Sequence, residues 1–111
     1  GIDIEDVSSM PEATDFRTDA FYTRNFSSAE IAHCILQTDP RQSFASRFCA
    51  KEAIVKADNN YRDTPFNQIE IQTGPAGQPV FEDFSLSISH TDDKVVAVAV
   101  RVCLDALIVR S

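Results

Sequence analysis

The chain has 111 residues, 43% of them hydrophobic, with eight Phe, no Trp and a formal net charge of −7. That size fits one domain, residues 1–111, with enough apolar material to bury a core, and the composition excludes a disordered chain. The acidic balance argues against a broad phosphate-neutralising surface for nucleic acid, and no apolar run is long enough to span a bilayer. The three cysteines, Cys34, Cys49 and Cys103, have no metal-site spacing. They read as small apolar groups of a protein kept in a reducing, cytoplasmic compartment.

The opening "GIDIEDV" places Ile2 and Ile4 in strand alternation and predicts a strand running into a turn. The segment that follows, with Ser9 as N-cap and Pro11 in the first turn, predicts a short helix ending near Ala20. Ser27 with Glu30 three residues later is a capping box, opening a second helix that ends near Gln37. Asp39 and Pro40 supply an N-cap and an N1 proline for a third helix, the longest, reaching about Asp58. A polar connection leads to "FNQIEIQ", whose alternation predicts a strand, and "TGPAGQP" is a loop. "FSLSISH" and "VVAVAVRV" then form a hairpin turning at Thr91–Lys94. Helices followed by a run of antiparallel strands make the fold class α+β.

Projection of the third helix at about 100° per residue gathers Phe44, Phe48 and Val55 into a core stripe. Glu52 and Lys56 fall on one flank of that stripe, and Arg47, Lys51 and Ile54 on the other. A Glu–Lys pair one turn apart is an ordinary helix-stabilising device. Asp3 points elsewhere, because a carboxylate between two strand isoleucines needs solvent, a cap or a cation. Carboxylates from two elements suit Mg²⁺, which takes one or two of them and fills its octahedron with water and phosphate oxygens. With Lys56 and Arg47 nearby, the ligand would be a polyphosphate. Ser85, Ser87 and Ser89 share one strand face, either a solvated surface or a further source of phosphate donors, and His90 closes the strand.

"GIDIED", "FASRFCAKEAIVKA" and "SLSISHTDDKVVAVAV", in that order, resemble the holo-[acyl carrier protein] synthase branch of the 4′-phosphopantetheinyl transferases. "NQIEIQTGPAGQPVF" is similar to that family's middle strands. "FYTRNFSSAEIAHC" resembles the transferase domain at the C-terminal end of fungal fatty acid synthase α chains, and Gly1 in place of Met suits a domain of a longer fatty acid or polyketide synthase. The resemblance implies an antiparallel sheet packed on a long helix, and transfer of phosphopantetheine from coenzyme A to a serine of an acyl carrier protein. It implies Mg²⁺ held by Asp3 and Glu52, catalysis by Glu52 and Lys56, and nucleotide contacts from Arg47, Lys56 and His90. It also implies a homotrimer whose sites lie between subunits.

Two features depart from the family pattern. "KADNNYRD" has Asp58 where a glycine-rich loop is expected, with Asn59 or Asn60 left to adopt a left-handed conformation in glycine's place. The segment before Arg17 carries no basic residue to meet an acidic carrier, which tethering within a larger assembly would offset. The alternative is a non-catalytic structural or oligomerising relative within a synthase. A Mg²⁺-dependent phosphodiesterase would need a third clustered carboxylate, which the sequence does not display.

Overall fold

The computed structural model describes residues 1–102, and Cys103 lies outside them. Strand β1 (Ile2–Asp6) is followed by α1 (Ala20–Asn25), α2 (Ser28–Cys34) and the long α3 (Pro40–Ala57). A short pair, β2 (Gln72–Thr73) and β3 (Pro79–Val80), precedes the hairpin of β4 (Phe84–His90) and β5 (Lys94–Arg101). The main sheet is antiparallel in the order β1-β5-β4, so the first strand joins the last of the described strands. The fold is α+β, with one face of this sheet laid on α3.

Small residues set that packing distance. Ala45, Cys49, Ala50 and Ala53 of α3 and Ala97 and Ala99 of β5 are all fully buried, so helix and sheet approach closely. At Gly1 a Cβ would stand 2.1 Å from the Ala53 carbonyl oxygen, a clash that only glycine avoids. The core stripe of α3 is therefore centred on alanines, cysteine and Ile54. Phe44 is buried as projected, but Phe48 and Val55 are only partly so, and Ile54 belongs to the core.

The sequence places a helix before Ala20 where none forms. Residues 11–19 are loop and turn, because Asp15 and Asp19 bind local backbone: the Arg17 amide donates to Asp15 and the Phe21 amide to Asp19, both at 2.9 Å. Asp19 is thereby the N-cap of α1 instead. The capping box of Ser27 and Glu30 and the Asp39–Pro40 start form as expected. The expected strand over 66–72 is also largely absent: Phe66–Gln68 is a 3-10 turn, and pairing begins only at Gln72.

The reason lies with Glu30 and Lys51, both nearly inaccessible to solvent. Glu30 Oε1 receives Lys51 Nζ at 2.6 Å and the Ser27 amide at 3.0 Å. Its other oxygen receives the Ile71 amide at 3.0 Å, which removes that residue from any strand ladder. Lys51 Nζ also donates to the carbonyls of Asn25 (2.8 Å) and Phe66 (2.7 Å) and stands over the Phe26 ring. One ammonium and one carboxylate thus tie α1, α2, α3 and the 66–71 segment together, with the desolvation cost met by full hydrogen bonding. Lys51→Met leaves Glu30 charged and buried, and we expect a loss of about 3 kcal/mol or more, read as a lower urea midpoint at unchanged slope.

Candidate active site

The alternation of β1 runs opposite to its hydrophobicity. Ile2 and Ile4 are each 62% exposed, whereas Asp3 and Glu5 turn toward α3. The register explains this, because Asp3 pairs with Ala97 and Glu5 with Val95, both fully buried on the helix-facing side of β5. Asp3 is anchored at its backbone, where its carbonyl accepts from Cys49 Sγ at 3.2 Å.

Asp3 keeps only about a tenth of its side chain accessible. Its Oδ1 accepts from Lys56 Nζ at 2.8 Å, and the same ammonium reaches the Ile2 carbonyl at 3.2 Å. Lys56 therefore pairs across to the strand. The other oxygen, Oδ2, is buried and accepts from no nitrogen or hydroxyl among the described residues, which leaves a protonated carboxyl such as Glu5 as the one protein donor in reach of Asp3. Glu52, half-buried on the same flank of α3, has its carboxyl pushed up by burial and then by the charge of Asp3, against the pull of Lys56. Glu5 is pushed up to about 7, first by burial and then by hydrogen bonding to Asp3 and repulsion from Asp3 and Glu52. Lys56 moves the other way: its hydrogen bond to Asp3 raises the ammonium and keeps it charged.

Three carboxylates crowding one lysine, with an unpaired buried oxygen among them, carry more negative charge than the protein neutralises. That donor set of hard oxygens suits Mg²⁺. Among the described residues no group of three such side chains encloses an ion unaided, so such an ion would take its remaining ligands from water and substrate. Glu5 is a third carboxylate beside Asp3, and the sequence pattern alone does not single it out as a site residue. The alternation of "DIE" does put Asp3 and Glu5 on one strand face.

The other two predicted site residues lie elsewhere on the molecule. Arg47, 9% exposed, donates from Nη2 to Thr73 Oγ1 at 2.7 Å, and its buried Nε has no partner among the described residues. Arg47 and His90 line a cleft of about 690 Å³ whose walls include Ser46, Thr73 and Thr91 but not Asp3, Glu52 or Lys56. Within one chain the predicted site is thus split in two. Ser85, Ser87 and Ser89 belong to neither part, because they share the exposed sheet face opposite α3.

Asp58 does not face the carboxylate cluster. Its side chain accepts from the Asn60 amide at 2.9 Å and pairs with Arg101, which also binds Asp83 at 3.2 Å. Neither Asn59 nor Asn60 is left-handed, since Glu82 is the one non-glycine residue with positive φ among those described. The turn after α3 is a 3-10 turn, Asn59–Tyr61, capped by Asp58, and it needs no glycine.

A family model described as the 4′-phosphopantetheinyl transferase superfamily matches residues 1–101. The holo-[acyl-carrier-protein] synthase of Cytophaga hutchinsonii is 33% identical over 116 residues, covering 87% of this chain and 91% of that protein. The fatty acid synthase subunit alpha of Schizosaccharomyces pombe is 31% identical over 117 residues, covering 89% of this chain but 6% of that much longer protein. Among solved structures, holo-[acyl-carrier-protein] synthase of Helicobacter pylori in complex with coenzyme A superposes with a TM-score of 0.76 at 27% identity, covering 92% of this chain and 98% of that one. The chain belongs to the 4′-phosphopantetheinyl transferase superfamily.

The carboxylate cluster has a direct spectroscopic consequence. Asp3→Asn removes the charge that both glutamates feel, so the Glu5 and Glu52 carboxyls should titrate closer to the ordinary range in ¹³C NMR. The sign for stability follows. A carboxyl raised in the folded state binds more protons there than when unfolded, so metal-free protein loses stability as pH rises from about 4.5 to about 7. That loss should shrink in Asp3→Asn.

Proposed function

We propose that this chain transfers the 4′-phosphopantetheine group of coenzyme A to a serine hydroxyl of an acyl carrier protein, releasing 3′,5′-ADP. The observation that carries this reading is Asp3, an inward-facing strand carboxylate with a buried unpartnered oxygen beside Glu52 and Lys56. Family membership supplies the chemistry. Asp3 and Glu52, with Glu5 beside them, would hold Mg²⁺, which when bound neutralises charge on a pyrophosphate.

The remaining roles fall to the chain's own groups. The serine oxygen attacks the β-phosphorus of coenzyme A, and the bond from that phosphorus to the bridging oxygen breaks in line with it. Glu52 takes the serine proton, a task suited to a carboxyl whose basicity burial has increased. Lys56, kept charged by Asp3, donates to the leaving 3′,5′-ADP phosphate. Arg47 and His90 hold the nucleotide end in the cleft, with the orphaned Arg47 Nε available to it. Asp58, tied to Arg101, spares the pyrophosphate its charge, which removes one argument for the non-catalytic alternative.

The separation of the two halves of the site supports a homotrimer in which the cleft of one copy faces the carboxylates of another. The outer face of the sheet offers an interface. Ile2 and Ile4 pair with Val98 and Val96, and Val100, 55% exposed, extends the same apolar face. The reaction suits the cytoplasm, where Cys34 and Cys49, free and buried, stay reduced. The carrier is a separate protein or a neighbouring domain of a synthase, and no described helix is long and apolar enough to cross a bilayer.

Intact-mass spectrometry of an apo acyl carrier protein incubated with the chain, coenzyme A and Mg²⁺ tests the reaction. We expect a phosphopantetheine mass gain that chelation abolishes and that Glu52→Gln slows by about 100-fold or more. No gain from folded protein with several carriers would overturn the assignment in favour of the non-catalytic relative. For the assembly, Ile4→Lys should leave the fold intact but reduce the mass measured by light scattering.

A further inference from the structure

His33 stands in the wall of the Arg47 cleft, on α2, across from the end of the β4–β5 hairpin that brings His90. It also lines a second cavity of about 290 Å³ that shares Arg47 and Thr73 with the first. The His33 ring is part-exposed and makes no protein hydrogen bond among the described residues, and Arg47, which lines the same cleft, carries an unpartnered buried Nε. A buried guanidinium donor without an acceptor, with an imidazole on a neighbouring helix lining the same cleft, is what an anionic ligand would satisfy. We propose that His33 is a third phosphate-binding group of this cleft, joining Arg47 and His90 on a nucleotide phosphate monoester, and that its protonation makes nucleotide binding pH-dependent. This rests on the cleft being the nucleotide subsite of the proposed transferase.

The neighbouring charges decide the sign. Arg47 faces His33 from α3, His90 and Asp92 from the hairpin, Asp39 from the cap of α3, and Glu30 and Glu70 from the adjoining cavity. Three of the four acids are engaged: Glu30 by Lys51, Glu70 by the Ser27 hydroxyl at 2.6 Å, and Asp39 by the Gln42 amide at 3.2 Å. Burial and then the Arg47 charge hold the His33 imidazole below its ordinary value, so it is neutral at pH 7 in the empty cleft. A bound phosphate dianion offsets Arg47 and favours the imidazolium. Affinity should therefore rise as pH falls from 8 to 6.5, a window in which a phosphate monoester, with its second pKa of about 6, stays mostly dianionic.

Calorimetry with 3′,5′-ADP and the full chain, without added metal, reads this. We expect binding to tighten several-fold between pH 8 and 6.5, His33→Asn to lose most of that gain, and Arg47→Met to weaken binding about tenfold or more at both pH values. The wild-type chain provides a check that needs no His33 variant. It has two histidines, distinguished in NMR by His90→Asn, and the His33 ring should titrate at higher pH when saturated with 3′,5′-ADP. If the ring titrates unchanged while Arg47→Met still abolishes binding, His33 has no such role and the nucleotide cleft stands. If Arg47→Met binds like wild type, the cleft assignment itself fails, and this inference with it.

Discussion

The inward register of β1 is the constraint on which the site depends. Pairing Asp3 with Ala97 and Glu5 with Val95 turns two carboxylates toward α3 and two isoleucines outward, against the usual hydrophobic preference of a sheet face. A slip of one residue would bury Ile2 and Ile4, relieve the repulsion and abolish the cluster. The chain instead holds the less comfortable register through bonds on both sides of Asp3. The Cys49 thiol binds its carbonyl, the Lys56 ammonium binds its carboxylate, and Gly1 sits too close to Ala53 for any side chain. Burial first, and then repulsion within the seam, raises Glu5 and Glu52, and that repulsion would favour taking up a divalent cation.

The seam can carry this strain because the rest of the domain is tied together elsewhere. Lys51 and Glu30 satisfy one another and four backbone groups within a dry interior, fixing α3 against α1, α2 and the 66–71 segment. Consecutive residues of α3 thus have opposite duties. Lys51 points into the interior and is permanently matched, while Glu52 points to the strand and is left under-matched. The contrast follows from the 100° step between neighbours on a helix of about 3.6 residues per turn.

Much of this was legible in the sequence, and the misses have physical causes. Helix starts at Ser27 and Asp39 and the β4–β5 hairpin were read correctly because their signals are local: a capping box, a proline at N1, strict alternation. The predicted helix before Ala20 failed because Asp15 and Asp19 bind nearby amides, and propensity does not register that competition. Alternation in β1 picks out Ile2 and Ile4 as the apolar face, whereas the inward face is the one that carries Asp3 and Glu5. Lys51 was assigned to a helix flank, since its burial depends on Glu30, twenty-one residues away in sequence. Asp58 looked obstructive until its partner, Arg101, came into view across the fold. Residues distant in the chain supply the matching that makes a local oddity tolerable.

The central claim is that the Asp3, Glu5 and Glu52 carboxylates form a seam whose unneutralised charge is a divalent-cation site. Electron paramagnetic resonance of Mn²⁺ titrated into the chain at pH 7.5, alone and with Asp3→Asn, tests it without any enzymatic readout. The account predicts saturable loss of the free-ion signal in the wild-type chain and little loss with Asp3→Asn. Equal uptake by both proteins would show that the inward-facing strand carboxylate is not a ligand, and would contradict the account at its base.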